Sequence, residues 1–132
     1  RFVTRIAPAT APLTQRLLLY ASADDRVLFF SERVNESERA GRIDDDTLPR
    51  VADVETIDMT DGQYANSWLV HTFGTRHALR RKSAALFDLI HIVGAQRSPD
   101  CRLTLGTAVA VEAGVWKLTS VPVPAPSAAA RC

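Results

Sequence analysis

Two side chains in this sequence, Asp25 and His71, have the types and places that proton-transfer chemistry requires. A histidine near its ordinary pKa can take a proton from a hydroxyl nucleophile, and a carboxylate beside it orients the imidazole and stabilises its charged form. The nucleophile is the missing part. Serines stand at 22, 31, 37, 67, 83, 98, 120 and 127, and none lies in a G-x-S-x-G turn between a strand and a helix. Ser22 ends a strand candidate but sits too near Asp25 and has no flanking glycines.

The elements that must position these residues are legible as short apolar runs. Arg16 to Ser22 reads as a strand buried on both faces of a parallel sheet, and Ala23-Asp24-Asp25 as the loop and helix start behind it. A helix is expected from Arg26 to about Glu38, with Val27, Leu28, Phe30 and Val34 on one stripe, closed by Ala40-Gly41. Val54 to Asp58 reads as a second strand. A polar loop then carries His71 towards a helix expected from about Gly74 to Val93, with Leu79, Leu86, Ile90 and Val93 inward. Arg102 to Thr119 is β-rich and predicts one or two edge strands, or a hairpin around Ala113-Gly114. Pro8 and Pro12 limit any helix before the first strand to a short or interrupted one. The division expected is one α/β domain over 1–120 and a disordered Pro/Ala-rich tail over 121–132.

In open parallel sheets, catalytic groups gather beyond the carboxyl ends of the strands. An acid after one strand and a histidine after the next is the late half of the order Ser, Asp or Glu, His. Each residue also has a plainer reading: Asp24 and Asp25 as helix caps, His71 as a loop histidine. His77 falls on a solvated arginine-rich face, and His91 near a helix end where the dipole favours a cation.

Composition narrows the classes. Hydrophobic residues make up 46% and charged residues 23%, as in ordinary soluble globular proteins. A net charge of +1 gives no reason to propose nucleic acid or an anionic membrane as partner, and no apolar run reaches the roughly 18–20 residues of a membrane span. The basic cluster Arg76 to Lys82 reads as a solvated helix face, and Asp44 to Asp46 as a solvated acidic loop without the Gly and Glu of a calcium loop. Cys101 and Cys132 lack metal-site spacing and read as free thiols. No cofactor or metal is implied. The start at Arg1 has no signal-peptide core and fits a chain that begins partway into something longer.

The stretch from Leu19 to Leu28, Leu-Tyr-Ala-Ser-Ala-Asp-Asp-Arg-Val-Leu, resembles a segment of a group of bacterial α/β-hydrolase-fold proteins of unassigned function. Ser31, Arg39-Ala40-Gly41, Ile57-Asp58, His71-Thr72-Phe73, Phe87-Asp88-Leu89 and Gly114-Val115-Trp116-Lys117-Leu118 continue the similarity in the same order. The chain departs from the group at Val27, in place of a small residue, and at Trp68-Leu69-Val70, where a glycine is usual before the histidine. The resemblance implies the C-terminal part of a three-layer α/β-hydrolase fold, incomplete as a standalone domain. In it Asp25 is the acid, His71 the histidine, and the nucleophile lies upstream. The implied activity is hydrolysis of an ester, amide or related acyl bond. The sheet would be completed by an N-terminal part or by another chain. The other reading is a non-catalytic interaction module built on a hydrolase fold, using an exposed sheet edge.

Overall fold

The computed structural model describes residues 5–23, 43, 48, 50–61, 83–120, 122 and 124–132. Two prolines sit at the starts of successive short turns, where a missing N–H costs nothing. They give a helical turn α1 (Ala7–Thr10) followed by a 3-10 turn (Ala11–Leu13). The apolar run behind them forms β1 (Leu18–Ala21), and the second run forms β2 (Glu55–Asp58). The two pair in parallel, Leu18 opposite Glu55 and Ala21 opposite Asp58.

The long helix begins in the described residues as α2 (Ser83–Phe87) and widens into a π-helical segment (Asp88–Val93). Beyond it come α3 (Cys101–Leu105), β3 (Ala108–Glu112), β4 (Val115–Leu118) and a last helical turn α4 (Pro126–Ala129). The sheet order is β1-β2-β4-β3, with β4 parallel to β2 and β3 antiparallel to β4. The class is therefore α/β, with a mixed four-stranded sheet and helices. The chain itself supplies the neighbour of β2, while β1 borders the sheet with no strand on its other side among the described residues.

Alternation along the strands divides the core. Leu19 and Val54 pack with Ala7 of α1 on one face. Ile57, Trp116 and Leu118 pack with Ala84 and Ala85 of α2 on the other. Phe87, Ile92 and Cys101 make a smaller cluster where the π segment meets α3.

Four expectations need correction. The helix does not bury the face expected of it: Ile90 is 58% exposed, while Asp88 and Ile92 are fully buried. The i→i+5 winding shifts the phase of the last turns, so a stripe drawn at the α period points the wrong way. Arg102 to Leu105 is helical rather than β. It is stopped by Gly106 at φ 68, where Gly106 N–H donates to the Leu103 carbonyl and Thr107 N–H to the Arg102 carbonyl. The cysteines are not free, since Cys101 and Cys132 are joined with Cα atoms 5.5 Å apart. That bond returns the expected disordered tail to the body of the protein, where α4 packs on α3 and the π segment. The hairpin around Ala113-Gly114 is as expected, with Gly114 at φ 74. Among the described residues no helix is long and apolar enough to cross a membrane.

Candidate functional site

Asp25 and His71 both lie outside the described residues, as do His77 and the Arg76 to Lys82 cluster. What is described is the sheet edge at which the chain leaves β1 and β2. The carboxyl ends of β1 and β2 are in register and tied together: Met59 N–H donates to the Ala21 carbonyl at 2.9 Å, and Ala23 N–H to Thr60 Oγ1 at 3.0 Å. Asp58 is buried and its Oδ1 accepts from Thr60 N–H at 2.8 Å, so this carboxylate shapes the turn after β2. Ser22 is fully buried at the end of β1, which removes it from consideration as an exposed nucleophile. His91 tilts against Phe87, ring centroids 4.9 Å apart. No group of three or more metal-ligating side chains occurs among the described residues.

The most concentrated chemistry lies inside the sheet–helix interface. Arg102, the second residue of α3, has a side chain with no exposure. Its Nε and Nη2 donate to the two oxygens of Asp88 at 2.6 and 2.9 Å, and its Nη1 donates to Glu55 Oε1. The opposite oxygen of Glu55 accepts Nε and Nη2 of Arg16 at 3.0 and 2.8 Å, and Arg16 Nη1 donates to the Arg97 carbonyl at 3.0 Å. Tyr20 donates its hydroxyl to Asp88 Oδ2 at 2.6 Å. The Arg102 guanidinium also lies 5.2 Å from the centre of the Trp116 ring.

Two cations and two anions are thus balanced, and each carboxylate oxygen has a charged donor. Burial opposes the charge on Arg102, but the hydrogen bonds and attraction of Asp88, then those of Glu55, outweigh it and raise its pKa. Burial first, then the Asp88 charge and hydrogen bond, push the Tyr20 hydroxyl far above its ordinary value of 10.0. Arg102 therefore keeps its charge and Tyr20 its proton across the neutral range. The cluster holds β1, β2, α3 and the π segment together.

None of these five residues was singled out in the sequence as a site. The usable signal was an acid inside an apolar run: Asp88 within Ala84-Ala85-Leu86-Phe87 and Leu89-Ile90, and Glu55 between Val54 and Thr56-Ile57. The chain matches no protein-family model, no curated protein and no solved structure.

Proposed function

We propose that this chain is the C-terminal part of a serine-type α/β-hydrolase domain, with Asp25 as the triad acid and His71 as the general base. The observation that carries the reading is the parallel register of β1 and β2, with Ala21 opposite Asp58. The chain therefore leaves neighbouring strands at the same carboxyl edge on its way to Asp25 and to His71. The border position of β1 is consistent with a sheet continued by strands from upstream sequence or another chain.

In this reading His71 takes the proton of a serine supplied from outside this sequence as its Oγ attacks an acyl carbonyl. His71 then returns the proton to the leaving group, and Asp25 holds the imidazole in the productive tautomer. The acid and base alone have no nucleophile to activate.

The experiment is labelling with a fluorophosphonate probe, comparing this chain with a version extended upstream through a candidate serine. The reading expects the extended protein to label, His71→Ala to abolish labelling, and the present chain to stay silent. A folded extended protein that never labels overturns it.

A further inference from the structure

A cleft of about 1240 Å³ opens at the amino-terminal ends of β1 and β2. That is the edge opposite the carboxyl ends of β1 and β2, so a ligand bound there is independent of the hydrolase reading. Four chain segments meet here: the entry to β1, the turn into β2, the loop between the π segment and α3, and the β3–β4 turn. Both non-glycine residues with left-handed backbone among the described residues, Asp53 at φ 59 and Gln96 at φ 53, line the cleft.

Two residues that line the cleft also carry buried nitrogens without a partner among the described residues. The buried side-chain nitrogens with no partner among the described residues are Arg97 Nε and the indole Nε1 of Trp116, and both residues line it. Trp116 is only 7% exposed, so its N–H is not satisfied by bulk water, and a buried donor left unpaired is costly. Glu55, the part-buried acid of the cleft, is committed to Arg16 and Arg102. Arg97 is half-buried and its guanidinium has no ion pair among the described residues; Asp53 and Asp100 stand exposed at the rim without pairing to it. The rest of the wall includes Leu17, Leu18, Val51 and Val54. An apolar wall with a few convergent polar groups is the usual make-up of a small-molecule site.

We propose that this cleft binds a small amphipathic carboxylic acid, its carboxylate on the Arg97 guanidinium and its apolar body against Leu17, Val51 and Val54. A guanidinium presents a planar fork of donors that matches a carboxylate, and that of Arg97 has no ion pair among the described residues.

The test is a titration of the full oxidised chain with phenylacetate, followed by two-dimensional NMR, with the Trp116 indole resonance assigned through Trp116→Phe. Saturable binding that shifts this resonance is expected, with phenethyl alcohol, the neutral analogue, binding at least about tenfold more weakly. Arg97→Leu should lose about tenfold and Arg97→Lys should keep part of the affinity. Val51→Asp, which leaves Arg97 intact but charges the apolar wall, should also weaken binding. Equal affinity for the alcohol, an Arg97→Leu protein that binds unchanged, or no saturation at millimolar phenylacetate overturns the proposal. Sulfate displacing phenylacetate at equal concentration would overturn its apolar half.

Discussion

Asp88 and Arg102, separated by 14 residues, meet as a two-pronged ion pair in which neither side chain has any exposure. The pair joins the π segment to α3, and through Tyr20 and Glu55 it joins both to the sheet. A buried pair of this kind contributes little beyond a hydrophobic replacement, but removing one partner strands a charge. Asp88→Ala should therefore destabilise the protein by about 3–5 kcal/mol. Asp88→Leu combined with Arg102→Met should cost much less than the sum of the single changes. Urea denaturation of the two singles and the double measures the coupling, and additive losses would contradict it.

Tyr20 gives this cluster a pH signature. Its folded pKa lies above the unfolded value of 10.0, so the unfolded chain ionises first and binds fewer protons above that pH. The contribution is fully present below pH 10 and is lost as pH rises through the folded pKa. Tyr20→Phe should cost about 1.5–3 kcal/mol at neutral pH, since a hydrogen bond to a charged acceptor is lost. It should also flatten the alkaline fall of stability. A parallel alkaline limb in wild type and variant, read from urea midpoints, would remove Tyr20 as its source.

The strands were legible because each depends on a local run: Leu17 to Ala21, Val54 to Ile57, and the turn that Gly114 at φ 74 permits. What escaped depends on partners distant in sequence. Asp88, the first residue of the π winding, is buried on Arg102, 14 residues away, and the α-period stripe misplaced Ile90. Arg102 could not be read as buried, since its burial requires Glu55, which is 47 residues away. Cys101 and Cys132 are 31 residues apart and pair only once α4 has returned the tail. Asp25 and His71 were read from chain order and from the family resemblance, and the structure describes the strands that precede them rather than the residues themselves.

Gly106 isolates the energetic effect of left-handed backbone from that of packing. A Cβ built there meets nothing within 4 Å, yet φ is 68. Gly106→Ala should cost about 1–2 kcal/mol from conformation alone. Gln96 holds the same place after the π segment, with Gln96 N–H donating to the Val93 carbonyl and Arg97 N–H to the Ile92 carbonyl. Gln96→Gly should therefore be tolerated or mildly stabilising. Loss of stability in both variants, measured by thermal unfolding, would show that Gln96 contributes side-chain contacts as well as backbone.

The Cys101–Cys132 bond closes a span of 31 residues containing α3, both strands of the hairpin and α4. Cross-linking a span of this size restricts the unfolded chain and stabilises by about 2–4 kcal/mol. Cys101 is buried against Phe87 and Ile92, whereas Cys132 is exposed and open to attack by a thiol. Reduction should lower the urea midpoint, and Cys132→Ser should reproduce that loss under oxidising conditions. Cys101→Ser should lose more, because it also places a hydroxyl in the Phe87–Ile92 cluster. Proteolysis should then begin in residues 124–132, identified by mass spectrometry. An oxidised protein whose tail is cut as fast as the reduced one would mean that α4 gains no protection from the bond.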